Sequence, residues 1–214
     1  MREVFTKIDG DETINVEVDL DVHKFKKDSP WLFSVFIKYD QKDVETLQYE
    51  NFLETKERLI LSIEYDSTAH FIGSRIIEGW SELYFCTSST KELENLVTSM
   101  LKETGLVYES NLVKDKKWNF YETQLFPTEL EFSHIQSEKI IFLLQEEGDI
   151  LDKPRDVEHY LSFGLPSQKE KFVANLDLDG FAYKDDISTD DFEHGVALIK
   201  KHAVNSRDVA SEIE

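Results

Sequence analysis

The run SHIQSEKIIFLLQEEG (133–148), DILDKPR (149–155), DVEHYLSF (156–163), GLPSQKEKFVANLDLDG (164–180), FAYKDDI (181–187) decides the fold of the second half of the chain. Ser133 and Gln136 have capping-box spacing, in which each side chain satisfies a free backbone N–H at a helix start. Ile140, Ile141 and Leu144 then fall on one stripe, and Gly148 can adopt the left-handed conformation that stops a helix. The spacing predicts a helix over 134–147. Val157, His159, Leu161 and Phe163 alternate with Asp156, Glu158, Tyr160 and Ser162, the pattern of a half-buried strand. Pro166, a second box from Ser167 to Glu170, a stripe of Phe172, Val173 and Leu176, and a stop at Asp179-Gly180 predict a helix over 166–178. Strands over 181–187 and 195–203 follow, then a helix from near Asn205.

Upstream, residues 2–8 and 12–20 read as a hairpin about Asp9-Gly10, its second arm alternating at Ile14, Val16, Val18 and Leu20. Trp31, Phe33, Val35, Ile37 and Tyr39 mark a third strand. A helix within 44–64 places Tyr49, Leu53, Leu59, Ile60 and Ile63 on one face. His70–Ile77 and Trp80–Thr87 form a second hairpin about Glu78-Gly79. Ser89 with Glu92 caps a helix bearing Leu93, Leu96, Val97, Met100 and Leu101, which Gly105 ends. Extended chain resumes at Leu106–Glu109 and again at Trp118–Phe126. Without the first hairpin the order is strand, helix, strand, strand, helix, strand, the ferredoxin-like pattern.

The boundary falls near 127–133, and the same order recurs beyond it, one strand short at Glu214. The expected fold class is therefore α+β: two ferredoxin-like α/β sandwich domains, residues 1–130 and 131–214, with antiparallel sheets and helices on one face. A missing last strand would leave one edge of 156–163 unpaired and open to a second copy of the chain, a homo-oligomer contact. A trimmed chain is the alternative.

The 214 residues carry 44 Asp and Glu against 24 Lys and Arg, a net charge of −20. That balance opposes direct nucleic-acid binding, since phosphates are repelled and no counterions are released, and it favours basic protein partners. One cysteine, Cys86, makes no internal disulfide, and the start is not a signal sequence, so a cytoplasmic setting is expected. No apolar run approaches the roughly 20 residues of a membrane helix. Cys86 reads as a packing thiol. The histidines His23, His70, His134, His159, His194 and His202 lack metal-site spacing, and His159 reads as a core histidine bonded to a neighbour. Asp177-Leu178-Asp179-Gly180 fails the calcium-loop pattern, because its glycine comes fourth rather than sixth. No phosphate cradle is present, so no catalytic residue, cofactor or metal is expected. The remaining candidate is the acidic run Asp177, Asp179, Asp185, Asp186, Asp190, Asp191 and Glu193. It reads either as a solvated loop or as a docking patch for an arginine-rich segment.

Two resemblances follow from short motifs. Lys116-Lys117-Trp118-Asn119-Phe120-Tyr121, continuing to Leu125-Phe126-Pro127, resembles the Asp-Pro-x-Trp-x-x-Tyr…Leu-x-Pro signature of the bacterial domain-of-unknown-function family numbered 695, with lysine where that pattern often has proline. The Phe71-Ile72-Gly73 to Tyr84-Phe85 hairpin looks like that family's glycine-bearing strand pair. Glu146-Glu147-Gly148-Asp149, Pro154-Arg155, Val157 to Phe163 and Gly180-Phe181 make the second domain similar to regulator of ribonuclease activity B (RraB). That resemblance implies a ferredoxin-like sandwich and noncatalytic inhibition of ribonuclease E by protein contact, although the aromatic last strand and the long acidic tail of such regulators are absent here. The expectation is a noncatalytic regulator of a basic RNA-processing partner, such as a ribonuclease. The alternatives are an enzyme with an interdomain active site and a self-associating protein.

Overall fold

The structure, a computed structural model, describes residues 2–9, 12–38, 47–66, 68–176, 180–187, 189 and 194–205. The chain divides into two compact units, Met1–Ile135 and Gln136–Glu214.

The first unit contains β1 (Arg2–Asp9), β2 (Glu12–Asp19), β3 (Trp31–Lys38), α1 (Leu47–Glu64), β4 (Ala69–Ile77), β5 (Trp80–Thr87), α2 (Leu93–Leu101) and β6 (Tyr108–Lys114). Its six strands are ordered β1-β2-β4-β5-β3-β6, every neighbour antiparallel. The β4-β5-β3-β6 portion is the ferredoxin-like order, and the first hairpin extends the sheet past β4. Ile77 pairs with Trp80 across Glu78 (φ 49°) and Gly79 (φ 77°), the two successive positive angles of a type I′ turn. Gly10 of the other expected turn lies outside the described residues, while Asp9 pairs with Glu12 as a two-residue connection requires.

Both helices cover one face. Phe33, Val35, Ile37, Phe71, Leu83 and Phe85 of the strands meet Phe52, Leu59, Ile60 and Ile63 of α1 and Leu93, Val97 and Leu101 of α2. Leu53, expected on that inward stripe, is 38% exposed, and its neighbour Phe52 is buried instead. The other face is also covered. There Phe5, Ile14, Val16, Val18, Leu32, Ile72, Tyr84 and Cys86 pack under Trp118, Tyr121, Leu125 and Ile135.

That cover corrects a sequence expectation, because residues 118–126 are not extended. Asp115 accepts hydrogen bonds from the Asn119 and Phe120 N–H groups at 2.9 and 3.0 Å, fixing a helix start. The chain then makes one wide helical turn, Tyr121–Leu125, closed by Phe126 N–H to the Tyr121 carbonyl at 2.8 Å. The strand expected at Leu106–Glu109 is β6, which starts at Tyr108 and runs on to Lys114. Ser89 does not cap α2 either: it accepts from Lys91 N–H at 3.3 Å, and Glu92 precedes the helix with φ 64°.

One polar group matters within this packing. Lys56 of α1 donates to Glu17 of β2 at 2.9 Å and to Ser74 of β4 at 3.3 Å, and Ser74 donates to Glu17 at 3.1 Å. Burial alone would raise the Glu17 pKa, but Lys56, with help from Arg2 and Ser74, overcomes it and holds the carboxyl below its ordinary value. A depressed folded-state pKa gives stability that is present above the unfolded value and lost as pH falls through the folded one. Glu17→Gln is therefore expected to lower stability at neutral pH while flattening the acid side of the stability–pH curve, as urea titrations at several pH values would show. An unchanged acid limb would contradict this assignment.

The second unit takes in most of α3 (Glu129–Glu146), then β7 (Arg155–Ser162), α4 (Pro166–Ala174), β8 (Ala182–Ile187) and β9 (Gly195–His202). The helix expected over 134–147 begins five residues earlier. Its box is Thr128 with Glu131: Glu131 accepts from Thr128 N–H at 2.7 Å, and Thr128 Oγ1 accepts from Glu131 N–H at 3.2 Å. Ser133 instead donates to the Glu129 carbonyl one turn back. At the far end Gly148 (φ 79°) stops the helix as expected, with Asp149 N–H reaching the Leu144 carbonyl and Gly148 N–H the Gln145 carbonyl, both at 3.0 Å. Ile141 and Leu144 are half-buried, but Ile140 is exposed. α4 also ends early, at Ala174, and its box is half made, Gln168 accepting from Leu165 N–H at 3.1 Å, so Ser167 and Glu170 are not its capping pair.

The three strands are ordered β7-β9-β8, antiparallel throughout. This is the ferredoxin-like order without its fourth strand among the described residues. Val157, His159 and Leu161 of β7 are half-buried and the residues between them exposed, as the alternation required. Val196, Ala197 and Leu198 of β9 are buried, whereas α4 buries no residue fully. At about 1.5–3 kcal/mol per fully buried large apolar side chain, the first unit is much the more heavily anchored of the two.

Candidate functional site

β7 and β8 are the two borders of the second sheet among the described residues, and β8 is the more open: Ala182 to Asp186 are all exposed. The register with β9 shifts between Tyr183 and Asp185, leaving Lys184 as an extra residue that bends the strand. Of the acidic run expected to act together, Asp185 and Asp186 lie on this strand, whereas Asp177, Asp179, Asp190, Asp191 and Glu193 lie outside the described residues. Consecutive strand residues point to opposite faces. Asp186 accepts from Tyr183 Oη at 2.6 Å and pairs with Lys169 of α4 at 2.5 Å. Lys169 leads in holding the Asp186 carboxyl below its usual range, and the hydrogen bond to Asp186 pushes the Tyr183 phenol up to about 12. Asp185 caps the backbone locally, accepting from Asp186 N–H at 2.8 Å.

Lysines answer the acids elsewhere on this unit as well. Lys184 pairs with Glu158 of β7, which also accepts from Tyr160 Oη at 2.6 Å. Arg155 grips Asp149 through both terminal nitrogens at 2.5 and 2.7 Å and reaches the Ile150 carbonyl at 3.0 Å, tying the turn after α3 to β7. Sequence reasoning paired neither Lys169 nor Lys184 with its acid, since the partners lie 17 and 26 residues away in the chain.

His159 is bonded to a neighbour, as expected, and the neighbour is another histidine: its Nε2 lies 2.9 Å from Nε2 of His202. His202 Nδ1 is 2.5 Å from the Ala203 carbonyl, which can only accept, so Nδ1 carries the proton of that contact. Among the described residues no group of three or more His, Cys, Asp or Glu could hold a metal ion. Cys86 is buried against β3 and β4, and burial pushes its thiol up to about 12, far from thiolate chemistry near neutral pH. Among the described residues, the carboxyls that depart from their ordinary pKa do so downward. In Glu17, Asp19 and Glu122 donors overcome burial, and in Asp66, Asp149, Glu158 and Asp186 donors lead outright. A general acid needs the opposite shift.

The Trp118 to Pro127 motif proves to be a set of tethers. Trp118 Nε1 donates to the Ser29 carbonyl at 2.9 Å, Tyr121 Oη donates to the Asp19 carbonyl at 2.8 Å, and Leu125 is fully buried. These contacts fasten the wide turn to the end of β2 and to the approach to β3.

Among the described residues no helix is long and apolar enough to cross a membrane. No curated protein and no solved structure matches the chain. Residues 134–214 match the family model described as regulator of ribonuclease activity B. Residues 3–126, more than half of the chain, match the family of unknown function DUF695, and the chain belongs to that family, with an RraB-type unit following it.

Proposed function

We propose that the protein is a noncatalytic cytoplasmic regulator whose second unit docks a basic segment of a protein partner, a ribonuclease or another RNA-processing protein, along the β8 edge. The match of residues 134–214 to a ribonuclease-regulator family supports a regulatory role. The observation that carries the docking site is the five-residue exposed run Ala182–Asp186 on a border strand, bearing Asp185 and Asp186 and flanked in sequence by Asp177, Asp179, Asp190, Asp191 and Glu193. An arginine-rich strand laid there gains backbone hydrogen bonds from the edge and bidentate pairing from the carboxylates.

The test is affinity capture with the full chain at low and high salt, followed by titration of the purified partner. The expected partner carries an arginine-rich segment and binds at least about tenfold more weakly when Asp185→Lys and Asp190→Lys are combined, because each reversal removes a charge-assisted contact and adds a repulsive one. A partner that binds the double variant as tightly as the natural chain, or recovery of no basic protein, refutes the reading. A second reading, self-association, is favoured by the other border strand, β7, which pairs only with β9 among the described residues. Light scattering that shows a monomer at every concentration would remove it.

A further inference from the structure

The first unit holds a cavity of about 160 Å³ lined by Lys7, Ile8, Ile14, Arg75, Thr123 and Gln124. Three separate elements build it. Lys7 pairs with Ile14 across the first hairpin, Arg75 pairs with Val16 from β4, and Thr123 and Gln124 come from the wide turn that covers this face of the sheet. In a chain with 44 acidic and 24 basic residues, the described lining contains two cations and an amide and no carboxylate.

Both cations are held by partners in the surrounding fold, each with a carboxylate among them. Arg75 Nε donates to Glu82 at 2.8 Å, Nη2 to Glu82 at 2.7 Å and to Tyr84 Oη at 3.1 Å, and Nη1 to Gln124 Oε1 at 3.0 Å. Lys7 Nζ donates to the Phe126 carbonyl at 3.2 Å and stands 3.7 Å from Glu131. These contacts fix the heads of both side chains without using all of their donors. An ammonium carries three N–H bonds and a terminal guanidinium nitrogen two, so Lys7 Nζ and Arg75 Nη1 each keep a donor while Nη2 is engaged by Glu82 and Tyr84, and the Gln124 oxygen accepts from Arg75, which leaves its amide nitrogen to donate elsewhere. Thr123 Oγ1 spends its proton on the Asn119 carbonyl at 2.8 Å, so the remaining donors belong to Lys7, Arg75 and Gln124. Ile14, buried, forms an apolar wall.

We propose that this cavity is a binding site for a small oxyanion, of the size of inorganic phosphate or a short carboxylate, received by Lys7, Arg75 and the Gln124 amide. Its volume suits such an ion better than a nucleotide, since pockets for larger ligands run to roughly 300 Å³ and more. Because the site joins the first hairpin to β4 and the wide turn, its occupant would clamp all three together.

The test is an amide NMR titration of the full chain with sodium phosphate at constant ionic strength, with a parallel acetate arm. Saturable shifts at Lys7, Thr123 and Gln124 with either anion are expected, and the arm that saturates at lower concentration identifies the tetrahedral or the planar class. Lys7→Met should weaken binding roughly tenfold by removing one charged donor. Gln124→Glu should abolish it, because a carboxylate then faces the cavity while the Arg75 contact is kept. Should Lys7→Met fail to fold, Gln124→Glu carries the test alone. Shifts that are linear with both anions, or a Gln124→Glu variant that binds as the natural chain does, would overturn the proposal and leave the cavity to water.

Discussion

Replacing Gly73 by alanine is expected to destabilise the protein by about 3 kcal/mol or more, a value in the tail of single substitutions that needs a specific mechanism. The mechanism is steric. A Cβ at Gly73 would stand 2.6 Å from the Glu17 carbonyl oxygen, 3.1 Å from Leu125 Cδ1 and 3.4 Å from Val18 Cα. Leu125 could turn aside, but the carbonyl belongs to β2, which pairs here with β4 through Val18 opposite Gly73 and Glu17 opposite Ser74. The methyl group must therefore part the strands that join the first hairpin to the sheet. The same shift would disturb the Glu17, Ser74 and Lys56 contacts. Urea unfolding of Gly73→Ala measures the loss, and a cost below about 1 kcal/mol, typical of an unremarkable surface change, would show that this close approach is not required.

The second large effect is expected at Trp118. Trp118→Ala should cost about 4 kcal/mol, within the range for truncating a buried large aromatic residue. Trp118 is 3% exposed, lies edge-on to Tyr121 with centroids 5.5 Å apart, and supplies the only side-chain hydrogen bond described to the Ser29 carbonyl. Its backbone has φ 60°, and the strain of that left-handed conformation stays with alanine while the packing that offsets it goes. Trp118→Phe keeps most of the ring contact and loses the indole N–H, so its cost should be clearly smaller. Equal losses for the two variants would mean that the hydrogen bond, not the buried ring, anchors the turn.

Much of the architecture was legible because it rests on local chemistry. Glu78-Gly79 specifies its turn through two positive φ angles, Gly148 closes α3 through the two hydrogen bonds that a left-handed residue allows, and the alternation in Val157 to Phe163 survives as half-buried against exposed. The misreadings arose where two local patterns compete and tertiary contacts choose. Thr128 with Glu131 and Ser133 with Gln136 share one spacing, and the earlier pair starts the helix because Pro127 is followed at once by a residue able to cap it. Trp118-Asn119-Phe120 looks extended by its aromatic content, yet the Asp115 carboxylate gathers the following N–H groups into a helical start. Phe52 and Leu53 are adjacent, so a small error in helix phase exchanges them. In the candidate site the sequence revealed the acidic run but not its partners, since the ion pairs of Asp186 with Lys169 and of Glu158 with Lys184 depend on strand order and on the extra residue in β8.

The docking claim is tested most directly by amide hydrogen exchange across residues 182–187, with and without the purified partner. Strand addition on β8 predicts that outward-facing amides of Ala182–Ile187 become slow to exchange on binding, that the effect weakens at high salt, and that the first unit's sheet is unchanged. Protection that falls on β7 or on the first unit, with β8 exchanging as in the free protein, would contradict it.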